Sequence, residues 1–212
     1  MRTKPYATSI LVFDEVELLD VTGPASLLTA AGRQWNFQPF KLELVAVELG
    51  AVTTRSNVAL QATRSLADSN EVECLIIPGG YGARRAAQDD AVVDWVRRTA
   101  ARAQFVLLVG NGVWVAARAG LLDGADIAVA PEMLSELQTA CPAARCDAHS
   151  GVCTSGKLFS ASKSALGLDL ACELVARTLG KKLASALSSS LGVSWVGELE
   201  VVEIVSGLPT SK

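Results

Sequence analysis

Residues 104–124 constrain the fold of this chain more than any other stretch. Phe105 to Val109 is a continuous apolar run, of the length and kind expected for a strand buried on both faces. Gly110-Asn111-Gly112 then imposes a hard turn. From Val113 to Leu122 the spacing becomes helical, with Val113, Ala116, Ala117, Gly120 and Leu121 on one face and Gly124 as the stop. Strand, tight turn and helix in that order make a nucleophile elbow, whose turn residue is held strained at the carboxyl edge of the strand. Yet the tip carries no nucleophile. Gly110 and Gly112 have no side-chain chemistry, and the Asn111 amide is a poor nucleophile.

The rest of the chain repeats the same alternation. Strands are expected at residues 8–13, 40–49, 74–77 and 127–129, with a hairpin-like excursion joining 53–54 to 58–60. Residues 14–20 read as a loop ending on the acid Asp20, and Thr22 as the cap of a helix that has Pro24 in its first turn and runs to about Ala31. Further helices are expected at 89–101, with Val92, Val93, Trp95 and Val96 inward, at 132–139, and at 166–179, closed by Gly180. Residues 141–160 read as irregular. The tail from Lys181 suits one more helix, followed by a mixed apolar and acidic segment at 193–204. This order implies an α/β fold: a doubly wound, mostly parallel sheet with helices on both faces, a flavodoxin-like sandwich carrying the elbow turn. No repeat, linker or composition break divides it, so residues 1–212 are expected to form a single domain.

Composition narrows the function classes. With 19 Lys and Arg against 22 Asp and Glu and no basic block, a nucleic-acid partner is not expected. No run approaches the roughly 18 apolar residues that span a bilayer, and the first residues do not resemble a secretory signal. The 5 cysteines are odd in number and not closely paired, which suits reduced thiols in a cytoplasmic protein. With His149 as the only histidine and no Cys-x-x-Cys, neither a metal site nor a cofactor is expected.

Several motifs together resemble one family. Leu19-Asp20-Val21-Thr22-Gly23-Pro24 comes first, then Ile76-Ile77-Pro78-Gly79-Gly80-Tyr81-Gly82. Val109-Gly110-Asn111-Gly112 follows, continued by Ala119-Gly120-Leu121-Leu122-Asp123-Gly124, and Gly167-Leu168-Asp169-Leu170-Ala171 comes last. In this order the chain resembles the ThiJ/PfpI superfamily, of the class I glutamine amidotransferase-like fold, and within it the isocyanide hydratase-like branch. The resemblance places the family's elbow cysteine at Gly110 and its cysteine-facing acid at Asp20. It places the Pro-Gly-Gly pocket donor at Pro78-Gly79-Gly80. The histidine of the family's Thr-Thr-His-Trp segment is missing near Ala130-Pro131, and Lys163 stands where the family has a glycine. The resemblance also implies a small-molecule substrate and a homodimer.

The expected site follows from these residues. Asp20, Asn111 and Lys163 are the catalytic candidates, and Gly79, Gly80, Tyr81, Gly110, Gly112, Trp114 and Glu132 are the substrate-binding ones. Asp20 is expected to be a partly desolvated acid able to move protons near neutral pH, or else a solvated loop acid. The backbone N–H of Asn111, with that of Gly80 or Tyr81, forms the expected oxyanion cradle. Lys163 would serve in proton transfer if buried, and is otherwise a surface lysine. Glu132 also suits a plain helix start, and Trp114 suits the core. Arg84 and Arg85 would attract an anion or simply begin a helix. Two classes of function remain open: acid–base chemistry of hydratase, lyase or cyclase type without a thiol, or ligand sensing without catalysis. A third account is an isocyanide hydratase-like enzyme whose cysteine has been changed to Gly110.

Overall fold

The computed structural model describes residues 4–33, 37–68, 71–193 and 195. In chain order the elements are β1 (Tyr6–Leu11), α1 (Leu18–Ala30), β2 (Phe40–Ala46), β3 (Gly50–Thr53), β4 (Ala59–Ala62) and β5 (Arg64–Ser65). Next come β6 (Cys74–Ile77), α2 (Ala83–Ala86), α3 (Asp90–Arg102), β7 (Phe105–Val109), α4 (Val113–Arg118), β8 (Asp126–Ala128) and α5 (Leu134–Ala140). The chain closes with β9 (Arg145–Asp147), β10 (Val152–Ser155), β11 (Leu158–Ala161), α6 (Gly167–Leu179) and α7 (Lys181–Leu191).

The central sheet runs β10-β11-β7-β6-β1-β2-β5. Every pairing is parallel except β10 with β11. Strands β6 and β7 are apolar throughout because helices cover both faces, and every side chain along them but the half-buried Phe105 is buried. On one face, α3 and α4 pack Val92, Trp95, Val96 and Val115 over Leu75, Val106 and Leu108. On the other, α1, α6 and α7 pack Leu27, Leu28, Leu174 and Leu187 over Ile10, Ile76 and Phe159. The expected doubly wound sandwich is the observed fold.

The differences from expectation lie at element ends. Helix α1 starts at Leu18, four residues before Thr22, so Asp20 belongs to its first turn and not to a loop. The Thr22 hydroxyl donates to the Leu18 carbonyl inside the helix, 2.9 Å away, and caps nothing. Helix α4 stops at Arg118, short of Leu122, because Gly120 turns the chain with φ +73°. Residues 141–160 are not irregular: they hold β9, which pairs β8 in a small second sheet, and β10, β11 at the edge of the main one. Most of 193–204 lies outside the described residues.

Strand order turns at β1 and β6, since β2 follows β1 to one side while β7 and β11 extend from β6 to the other. In such sheets ligands bind beyond the carboxyl ends of the strands at this switch point. Here the two loops at that point are laced together. Val16 bridges Gly80, the Glu17 N–H donates to the Gly79 carbonyl at 2.9 Å, and that of Gly82 donates to the Glu15 carbonyl at 3.3 Å. Only glycine permits this approach at residue 80. Its φ is +122°, and a Cβ there would lie 2.3 Å from Glu15 O and 2.4 Å from Glu17 N. Gly80→Ala is therefore expected to cost about 2–5 kcal/mol of stability, from backbone strain plus the clash, read as a lower midpoint in urea unfolding.

Candidate functional site

The site is assembled from three chain segments: the first turn of α1, the loop after β6, and the elbow after β7. Asp20 is 1% exposed. Its Oδ2 accepts the Gly79 N–H at 2.8 Å, and its Oδ1 has no partner among the described residues. Burial pushes the carboxyl above the usual aspartate range, and the negative charge of Glu17 adds to the rise. The Ser164 hydroxyl and the Gly79 amide oppose it. Ser164 does so without closing a well-formed hydrogen bond, so Oδ1 stays buried and unpaired among the described residues.

The elbow faces this acid. Gly110 holds φ +52°, the left-handed conformation of an elbow tip, and residues Gly110–Gly112 form one 3-10 turn. A Cβ built at Gly110 would meet a single neighbour within 4 Å, Asp20 Oδ2 at 3.7 Å. A side chain at this position would thus enter open space directly beside the carboxyl. The backbone is that of a nucleophile elbow, and the nucleophile is absent.

Asn111 is differently placed from expectation. Its Oδ1 accepts the Gly80 N–H at 3.2 Å and its Nδ2 donates to the Gly80 carbonyl at 3.0 Å. The side chain is a clamp on the β6 loop, and the Gly80 N–H is committed to it, so Gly80 does not supply the expected oxyanion donor. The Asn111 N–H, in the first turn of a helix, has no acceptor within that turn. Gly79 lies between the two groups: a Cβ there would be 2.7 Å from Asn111 Oδ1 and 2.9 Å from Asp20 Oδ2. Gly112 admits the carbonyls of Ile77 and Pro78, which would lie 2.5 and 2.6 Å from a Cβ.

The remaining expected residues divide between the rim and elsewhere. Tyr81 is 62% exposed. Its hydroxyl accepts from Arg55 Nη2 at 2.6 Å, and the Arg55 guanidinium lies 3.8 Å from its ring centroid. Arg55 also lies 3.6 Å from Glu17. Trp114 is no pocket wall: it is 7% exposed within the α3/α4 core, under the Arg84 guanidinium at 4.2 Å. Lys163 is exposed, so the burial that would suit it to proton transfer is missing. Glu132 is exposed on the turn Pro131–Met133, as a helix-start acid. Arg84 is paired to Glu136 and Arg85 to Glu15, which leaves neither free to draw in an anion.

Four of the five thiols are held further from the thiolate form by their surroundings. Burial raises Cys141, Cys146 and Cys153, and it pushes Cys172 up to about 12, so none of the four is a thiolate near neutral pH. Among the described residues no group of His, Cys, Asp or Glu is arranged to hold a metal ion. No helix among them is long and apolar enough to cross a membrane. Ser164, Glu17 and Arg55 are not among the residues expected from the sequence. Ser164 opens the turn into α6, and its place directly after the expected residue Lys163 is the one sequence signal that could have found it.

With this geometry in view, the chain belongs to the DJ-1/PfpI family, whose profile matches residues 8–177. It is similar to the isonitrile hydratase of Pseudomonas putida, 32% identical over 114 residues, which cover 54% of this chain and 47% of that protein. It is also similar to the HTH-type transcriptional regulator GbdR of Pseudomonas aeruginosa, 25% identical over 191 residues, covering 87% of this chain and 50% of the regulator. The chain therefore spans about half the length of these curated relatives. In fold it matches Drosophila melanogaster DJ-1beta with a TM-score of 0.79 at 18% identity, over 91% of this chain and 100% of that one.

The Asp20 environment sets a dependence of stability on pH. Its pKa is higher folded than unfolded, so above the unfolded value the native state holds a proton that the unfolded chain has lost. Asp20 therefore costs nothing at low pH, and its cost grows as pH rises through the folded pKa. Asp20→Asn, which keeps the shape without the charge, is expected to gain in Tm relative to the parent as pH is raised from about 4 toward neutrality. Parallel thermal melts across that range are the measurement.

Proposed function

We propose that this chain is a small-molecule enzyme working without a cysteine nucleophile, in which Asp20 is the general acid and base of a hydratase-, lyase- or cyclase-type reaction. The observation that carries this reading is the Asp20 carboxyl. It is buried, and its Oδ2 both accepts the Gly79 N–H and faces the space above Gly110, while Oδ1 has no hydrogen-bond partner among the described residues. A carboxyl raised by burial keeps its proton closer to neutral pH than a solvated one, which suits it to give that proton to a substrate atom and recover it later.

The proton moves from Asp20 to a substrate atom seated over Gly110, leaving a carboxylate stabilised by the Gly79 N–H. That carboxylate then takes a proton from water or from a carbon of the same substrate. Negative charge developing elsewhere on the substrate falls to the Asn111 N–H at the start of the helical turn. No covalent intermediate is formed. A cytoplasmic homodimer in specialised metabolism is part of the same reading.

A second reading has its own support. The regulator GbdR covers most of this chain in alignment, and a domain of this fold with no nucleophile serves equally as a ligand sensor. Asp20→Asn separates the two. For the enzyme, kcat falls by at least about 100-fold while affinity for the bound compound changes little. If compounds bind and the parent protein turns none of them over, the enzymatic reading fails and the sensor stands. A further variant tests the elbow: with an alkyl isocyanide as substrate, Gly110→Cys is expected to gain hydration activity if the cavity keeps its family shape. A folded variant that binds the isocyanide and leaves it unreacted shows a rebuilt pocket.

A further inference from the structure

A second crevice has neither Asp20 nor any elbow residue in its lining. Its volume is about 440 Å³, in the range of small-molecule sites, and it opens beyond the carboxyl ends of β1 and β2, against α2 and α3. The floor is apolar, made by Val12, Ala46, Ala86 and Val92. One wall is the bend between β2 and β3, where Val47 is 45% and Leu49 62% exposed.

The charged lining is unbalanced: three carboxylates, Asp14, Glu48 and Asp89, against one guanidinium, Arg85. Arg85 is already engaged, 3.3 Å from Glu15 Oε2 and donating to the Asp14 carbonyl at 3.4 Å. Two of the carboxylates are fixed in place by the backbone. Asp14 Oδ1 accepts the Thr53 N–H at 2.9 Å, and Asp89 Oδ1 accepts that of Ala91 at 2.9 Å as the cap of α3. Each is thereby oriented before any ligand arrives, with its second oxygen uncommitted among the described residues, and preorganisation of this kind lowers the entropy cost of binding. Glu48 has no ion-pair partner among the described residues either.

We propose that this crevice binds a small organic cation, an ammonium or guanidinium group carried on a short apolar body. The body covers Val47, Leu49 and the floor, and the charge sits between Asp14 and Asp89. An anion would meet three like charges. A neutral apolar molecule would bury carboxylates without pairing them, which is unfavourable. The inference is independent of the acid–base reading of Asp20, because neither Asp20 nor Gly110–Gly112 lines the crevice.

The test is titration of the full isotope-labelled chain with phenethylammonium and, separately, with 2-phenylethanol, followed by amide NMR. The amine is expected to give saturable shifts at residues 47–52 and 82–89, with affinity about fivefold to tenfold above the alcohol's, the contribution of one or two partly exposed charge pairs. That preference should shrink as salt is raised. It should fall to about twofold or less in Glu48→Gln/Asp89→Asn, where asparagine keeps the helix cap and so the fold and Asp14 alone remains. Asp20→Asn should leave the preference intact. The proposal is overturned if alcohol and amine bind alike, if the double variant keeps the preference, if the shifts centre on the elbow, or if no saturable shift occurs.

Discussion

The hydrogen bond from the Gly79 amide to Asp20 Oδ2 ties the site to the fold. Taking a carboxyl out of water is costly unless it is neutral or bonded, and Asp20 has one backbone donor for its two oxygens. The bond exists because the loop after β6 is pressed against the start of α1, which in turn requires a Gly80 without a side chain. The Asn111 clamp braces the same loop from the elbow. The position of the acid, the shape of the β6 loop and the elbow conformation therefore stand or fall together.

Much of the architecture was legible because its signals are local. Apolar runs such as Phe105–Val109 and the glycine turns after them report strands buried on both faces and the places where they stop. Asp89 in front of an amphipathic run was enough to locate α3. The errors arose where tertiary contacts override local chemistry. Thr22 and Pro24 read as a helix start, yet burial of Val21 and the lacing of Glu17 to Gly79 draw the helix four residues further back. The strands within 141–160 are short and weakly patterned, and they exist because β7 and β8 offer edges to pair with.

The site was legible to a similar depth. Gly110 was recognisable from the strand-turn-helix pattern, and Asp20 from the family resemblance that sets an acid opposite the elbow. What spacing does not reveal is which hydrogen bonds are already spent. The Gly80 N–H looks like a free donor in the sequence and is taken by an amide thirty-one residues away. Trp114 and Arg84 likewise look like pocket residues until their stacking, and the pairing of Arg84 with Glu136, are seen. Ser164 lies too far along the chain from Asp20 for any periodicity to join them.

The burial of the thiols has a consequence outside the site. Cys172 is fully enclosed on the buried side of α6, and burial holds its pKa up at about 12. An alkylating reagent can reach that sulfur only when the helix lifts from the sheet, so the pace of its capture becomes a clock for local opening of this face.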